Sequence, residues 1–181
     1  MTSEPNLPFH AARILLLIGL RGRQKSRADK LPELVGRTLL AKLDFFVRYP
    51  AYLRKAAVEL NRTATEAELG ITEPDEDDTV EARMVRYLYG PWDHLYYPTL
   101  AYLVGKGLIE VDEDRGTDVF RVTAKGLGLV DTLRADPSFA PLAARIRYVN
   151  RLFANHKGSG VKQFIYDHFP EVVSRDIGEV I

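Results

Sequence analysis

Two places in the sequence set a carboxylate beside an imidazole, Asp93-His94 and Asp167-His168, and general acid–base catalysis is the chemistry such groups support. Adjacent residues leave a helix in different directions, so each pair reads as exposed polar residues rather than as a working dyad. The four histidines, His10, His94, His156 and His168, lack the spacing of zinc ligands. Cysteine is absent, which removes thiolate ligands, disulfides and cysteine nucleophiles and is compatible with a reducing cytoplasm. There is no Gly-x-x-x-x-Gly-Lys-Ser/Thr loop and no Gly-x-Gly-x-x-Gly to cradle phosphates. No serine stands in a nucleophile-elbow context. The expectation is a chain with no catalytic residue, no metal site and no cofactor; a small enzyme would have to rest on Asp93 and His94.

Charge and aromatic rings are the remaining chemistry. Net charge is zero over 181 residues, yet residues 1–62 hold 12 Lys/Arg against 5 Asp/Glu, while residues 63–81 hold 8 acids and no base. Arg21, Arg23, Lys25, Arg27 and Lys30 form one basic group. Arg145, Arg147, Arg151 and Lys157 form another, with Arg147 and Arg151 four apart on one helical face. Both groups read first as solvated charge, and the second is the candidate for non-specific phosphate contact. Six of the eighteen aromatic residues, Tyr87, Tyr89, Trp92, Tyr96, Tyr97 and Tyr102, fall within sixteen positions. Rings of this kind serve both as packing and as anchors of protein interfaces. Near the end of the sequence, Val161, Phe164, Ile165 and Phe169 recur at helical spacing, as core or as a stripe that docks into another protein.

The elements that must position these residues follow from pattern. Phe9 to Arg21 predicts a helix with almost no polar face, buried on most sides. Its apolar run is too short to cross a bilayer, no secretion signal is visible, and a cytoplasmic chain is expected. A second helix is expected from Pro32 to Tyr49, with Pro32 in its first turn and Gly36 weakening it. Pro50 opens a third, to about Asn61. Thr63 to Thr79 is too acidic to pack and reads as a mobile linker with one helical turn at Glu66 to Leu69.

From Val80 to Leu133 the order of signals is specific. Val85, Tyr87 and Tyr89 alternate before a Gly90-Pro91 turn; Pro98 opens a helix to Lys106; Leu108 to Val111 and Val119 to Val122 flank a polar tip containing Gly116; Thr123 caps a last helix. Strand, helix, hairpin, helix is the order of a winged helix. The expected architecture is mainly α with a small β-hairpin: an N-terminal helical part (1–62), a linker (63–79), a winged helix-turn-helix core (80–135) and a C-terminal helical extension (136–181). The core stretch resembles bacterial winged-helix regulators of the PadR and MarR kinds. In these, a helix ending Leu-x-x-Leu-x-x-x-Gly-Leu-Ile feeds a hairpin returning into Leu-Thr-x-x-Gly. Leu100, Leu103, Gly107, Leu108 and Ile109 match the first part, and Val122, Thr123 and Gly126 the second, with Val in place of Leu.

A groove-reading helix should present Arg, Lys, Asn or Gln to base edges. The Pro98–Lys106 helix offers only Thr99, Tyr102 and Lys106. Its hairpin carries Glu110, Asp112, Glu113, Asp114 and Asp118 against Arg115, a balance that phosphate repels. Base-specific reading by the usual helix and wing is therefore not expected.

A second resemblance spans more of the chain. Leu43-Asp44-Phe45-Phe46-Val47-Arg48-Tyr49-Pro50, then Arg86 with Gly90-Pro91-Trp92-Asp93, then Phe164-Ile165-Tyr166 with Phe169-Pro170, resemble the small middle component of bacterial three-component ABC-ATPase systems of the Lamassu anti-phage kind. The resemblance implies a non-enzymatic winged-helix subunit that binds an SMC- or Rad50-like coiled-coil ATPase, with an effector subunit as a further partner and non-specific DNA contact through Arg145, Arg147, Arg151 and Lys157. The partner-facing residues would be Tyr87, Tyr89, Trp92, Tyr96, Tyr97, Phe164, Tyr166 and Phe169. A dimeric winged-helix transcription regulator is the alternative.

Overall fold

The most apolar run of the sequence becomes the centre of the molecule. In the computed structural model, which describes residues 6–21, 31–62, 64–71 and 83–181, helix α1 spans Leu7–Gly19. Asn6 caps it, its Oδ1 accepting the Phe9 N–H at 3.2 Å. Nearly every residue from His10 to Gly19 is buried, because helices pack on α1 from several sides and a short sheet lies against it. Among the described residues no helix is long and apolar enough to cross a membrane.

The helix expected from Pro32 is corrected. Glu33–Val35 is strand β1, with Leu34 inward and its neighbours outward. Gly36, at φ +93°, turns the chain from that strand into helix α2, Arg37–Arg48. Pro50 then opens α3, Pro50–Glu59. Helix α2 is buried on all sides rather than along one stripe, ten of its residues being inaccessible.

The segment expected as a linker also differs. Within 64–71, Leu69 and Ile71 are buried, the Thr65 hydroxyl and Glu68 carboxylate cap each other's backbone N–H groups, and Arg54 pairs with Glu66. Arg145 donates to the carbonyls of Leu69, Gly70 and Val47. Guanidinium and buried apolar side chains thus outweigh the local acidity. Residues 63 and 72–79 of that expected linker lie outside the described residues.

Strands β2 (Val85–Tyr87) and β3 (Gly90–Trp92) form a hairpin. Its turn is Leu88-Tyr89, and Gly90-Pro91 is the returning strand, not the turn expected there. Residues 178–181 run beside β2, with the Arg86 N–H donating to Glu179 O and the Ile181 N–H to Met84 O. Helix α4 spans Tyr96–Gly105, starting two residues before Pro98.

Strands β4 (Ile109–Asp114) and β5 (Thr117–Val122) pair through a tight turn. Arg115 (φ +50°) and Gly116 (φ +76°) both take the left-handed conformation that matches strand twist. β1 adds to the other side of β5, so the order is β1-β5-β4. The sheet thus draws its third strand from outside residues 80–135. Helix α5 spans Ala124–Ala135. Thr123 Oγ1 accepts the Gly126 N–H and donates to Gly107 O, and Gly126 is packed so closely on β4 that a Cβ there would lie 2.0 Å from Leu108 O.

The C-terminal helices α6 (Ala140–Leu152), α7 (Gly158–His168) and α8 (Pro170–Val173) follow, with α6 and α7 packing on α2. Phe46 of α2 is stacked on Phe153 at 4.8 Å and meets Phe164 and Phe169. The whole is mainly helical with two small antiparallel sheets.

Candidate partner-binding face

A buried ionic network fixes the base of the site. Arg13 of α1 donates to both oxygens of Asp44 on α2, at 2.7 and 3.3 Å. Tyr96, at the start of α4, donates its hydroxyl to Asp44 Oδ2 at 2.8 Å. Arg48 reaches Asp93 Oδ2 at 2.6 Å and lies 3.7 Å from Asp44. Asp93 in turn accepts the Leu95 N–H at the approach to α4, and Arg13 donates to His10 Nδ1. All six side chains are buried. Burial pushes the Asp44 carboxyl upward, but Arg13 and Arg48 and the bonds from Arg13 and Tyr96 outweigh it and leave it below the usual carboxylate range. Burial, then Asp44, raises the Tyr96 phenol well above its ordinary value. Burial, then Arg13 and Arg48, lowers His10, which is consistent with a neutral ring accepting from Arg13. These buried contacts pin α1, α2 and α4 together, with one Arg48 nitrogen, Nη2, left without a hydrogen-bond partner among the described residues.

That base carries an aromatic surface. Tyr89 and Tyr97 are more than half exposed and Tyr87 is 39% exposed. Trp92 is half-buried, edge-on to Tyr96 at 5.1 Å and flanked by Tyr87 and Tyr97. Tyr166 of α7 joins the rim, its hydroxyl 3.4 Å from Leu88 O and its ring beside the cations of Arg86 and Lys162. Lys162 also lies over Tyr89 at 5.5 Å. Tyr87, Tyr89, Trp92, Tyr97 and Tyr166 are thus brought together. Tyr96, Phe164 and Phe169 are corrected: they are buried core residues, because Tyr96 turns inward to Asp44 and the two phenylalanines fill the space around Phe46.

Between these rings lies a cup of about 180 Å³, lined by Arg37, Thr38, Lys42, Tyr87, Tyr89, Gly90, Trp92 and Tyr97. Lys42 is 2% exposed and donates to Pro91 O at 3.0 Å. Burial first, then the charges of Arg86 and Lys162, lowers its ammonium to about 7. The sequence reading missed Lys42 and the ionic network. A single arginine in the otherwise apolar Phe9–Leu20 run was the available signal, since a buried Arg13 demands an acid elsewhere.

The remaining sequence candidates are scattered. Arg145 is engaged by backbone carbonyls, which removes it from the phosphate-contact group. Arg147 and Arg151 are exposed on α6, the latter over the Tyr148 ring, and Lys157 lies just before α7, not on the same helix. Arg21 donates toward Asn150, Phe153 and His156 at the C-terminal end of α6, so it is a helix-end clamp; Arg23, Lys25, Arg27 and Lys30 lie outside the described residues. Asp93 is buried against Arg48, contrary to its expected exposure, while His94 is exposed. Asp167 accepts from Gln163 and His168 meets Glu59. Thr99 is buried and unavailable to a groove. On the hairpin, Arg121 bridges Asp112 and Glu33, and Arg37 pairs with Asp118; Glu110, Glu113 and Asp114 are exposed. Among the described residues no three His or acidic side chains are grouped to hold a metal.

A cavity of about 650 Å³ lies elsewhere, between α1, α4 and α5. Phe9, Leu15, Leu103, Leu129, Leu133 and Phe139 line it with Lys106 and Lys125. Lys125 is already held on the Lys106 carbonyl, and both lysines are exposed. It offers apolar shape without converging buried polar groups. No protein family, curated protein or solved structure matches this chain.

Proposed function

We propose that this chain is a non-enzymatic winged-helix subunit that binds an SMC- or Rad50-like coiled-coil ATPase in a bacterial anti-phage complex. The carrying observation is the aromatic face of Tyr87, Tyr89 and Tyr97, exposed, with the partly buried Trp92 and Tyr166, held from below by a buried ionic network. Rings of this type, fixed in place and only partly covered, are the residues that dominate binding energy at protein interfaces. The winged-helix reading draws support from α1, β1 and α2, then α4 and the β4–β5 hairpin, with strand order β1-β5-β4. The motif blocks that resemble middle components converge in space: Lys42 and Arg48, in and beside the first block, meet Pro91 and Asp93 of the second, and Phe46 meets Phe164 and Phe169 of the third. The α4 surface and acidic hairpin disfavour phosphate, so any DNA contact falls to Arg147, Arg151 and Lys157 and is non-specific.

Co-expression with an SMC- or Rad50-like coiled-coil ATPase from the same gene neighbourhood, the neighbour this proposal requires, tests it. The two chains are expected to co-purify, and Tyr89→Ala with Tyr97→Ala to weaken the complex at least tenfold, since each exposed anchor contributes on the order of 1–2 kcal/mol. A chain that stays alone beside that ATPase and instead shifts its own promoter DNA, sequence-selectively and salt-sensitively, is a dimeric regulator.

A further inference from the structure

Lys42 is a buried amine with no acid beside it among the described residues. The charged groups that act on it are Arg86 and Lys162, both cations, and its one hydrogen bond goes to a backbone carbonyl. Arg37, on the same cup, is paired with the carboxylate of Asp118. A cationic floor under an aromatic wall is an incomplete site: an ammonium taken out of water normally has a paired anion, and without one it is a standing electrostatic cost.

Size narrows what completes it. A cup of about 180 Å³ is well below the roughly 300–1,000 Å³ of small-molecule pockets, and it matches one side chain rather than a whole ligand. Interfaces are built this way, with one anchor from a partner entering a pocket framed by Tyr and Trp. The charge fixes the kind of anchor. Two cations line the cup, Arg37 and Lys42, and the charges of Arg86 and Lys162 act on Lys42, so an acidic group is attracted and a basic one repelled. Length favours the longer acid, whose methylenes lie against the rings while its oxygens reach the floor.

We infer that the cup framed by Tyr87, Tyr89, Trp92 and Tyr97 receives a glutamate side chain of a partner protein, its carboxylate accepting from Lys42 Nζ. The inference rests on the reading of this face as a protein-binding surface and specifies what that surface selects. Binding supplies Lys42 with a carboxylate that it lacks among the described residues. It also makes recognition depend on a group that exposure alone would never nominate.

The test uses the isolated chain with ¹⁵N-labelled lysine side chains and two probes, acetyl-Gly-Glu-Gly-amide and its Gln counterpart, titrated to tens of millimolar, the range in which one anchored side chain is read. The Glu peptide is expected to move the Lys42 Nζ signal saturably and to bind at least tenfold tighter than the Gln peptide. Lys42→Met is expected to abolish that preference; should it fail to fold, Tyr97→Ala, at an exposed position, is expected to weaken the Glu peptide severalfold with the Lys42 signal still readable. Equal response to both peptides, or no movement of Lys42 with either, overturns the inference. Inorganic phosphate binding tighter than the Glu peptide also overturns it, making the cup a phosphate site. Peptide selectivity in a chain that never co-purifies with the ATPase keeps this inference and removes the complex. A complex sensitive to Tyr89 and Tyr97, with a Lys42 signal that ignores both peptides, does the reverse.

Discussion

Asp44 keeps its charge with no water around it, so its role is set by Arg13, Arg48 and the Tyr96 hydroxyl. Asp44→Asn leaves the buried Arg13 guanidinium without its acid, while Arg48 keeps Asp93, and is expected to destabilise the fold by about 3–5 kcal/mol in urea denaturation. Lys42 is the opposite case, a buried charge whose removal relieves the chain. Its pKa falls from 10.5 in the unfolded chain to about 7 in the folded one, chiefly through burial and then through Arg86 and Lys162. Between those values the unfolded chain holds the extra proton, so this group makes stability rise with pH; below about 7 the penalty is complete, and above 10.5 it is gone. Lys42→Met is therefore expected to be more stable than the native chain by roughly 2–4 kcal/mol at neutral pH. Repeating the denaturation near pH ~9.5 should narrow that gap, and a gap independent of pH would show that Lys42 keeps its ordinary pKa and its charge in the fold. Neither residue was legible beforehand: Lys42, Asp44 and Arg48 give α2 the polarity of a surface helix, and only the packing of α1, α4, α6 and α7 around it reveals otherwise.

Among the elements, α5 shows how a motif in the sequence becomes a packing constraint. Thr123 closes the first turn of the helix, and Gly126 lets that turn rest on the Leu108 carbonyl. A methyl group at Gly126 gains up to about 1 kcal/mol of helix propensity but meets that oxygen at 2.0 Å, and overpacking wins. Gly126→Ala is expected to lose about 2 kcal/mol. Gly128→Ala, on the same helix with nothing within 4 Å of its Cβ, is expected to gain up to about 1 kcal/mol. Opposite shifts of melting temperature would separate the two. The α5 cap and the β4–β5 turn were readable because their signals are local. Strand β1 was not: only Leu34 of its three residues is buried, and its partner β5 is more than 80 residues away, so a proline in a helix-like window was the stronger local cue.

At the scale of the molecule, the aromatic face and the acidic hairpin divide the surface between them. The count of rings in Tyr87–Tyr102 pointed to a partner surface, but not to its membership. Which ring turns inward depends on Asp44, and Tyr96 is the one that does. Phe164 and Phe169 kept helical spacing that fits a core as well as a docking stripe, and Phe46 takes them for the core.

One consequence of the strand order concerns copies of the chain meeting each other. β4 is the outer margin of its sheet, and its far side shows an open row of backbone donors and acceptors next to the 43%-exposed Val111. Such a margin is a template on which an identical strand can stack, and the like charges of Glu110, Asp112, Glu113 and Asp114 oppose that stacking. Converting all four to their amides is expected to produce concentration-dependent oligomers in sedimentation, with the native chain unaffected at the same concentration.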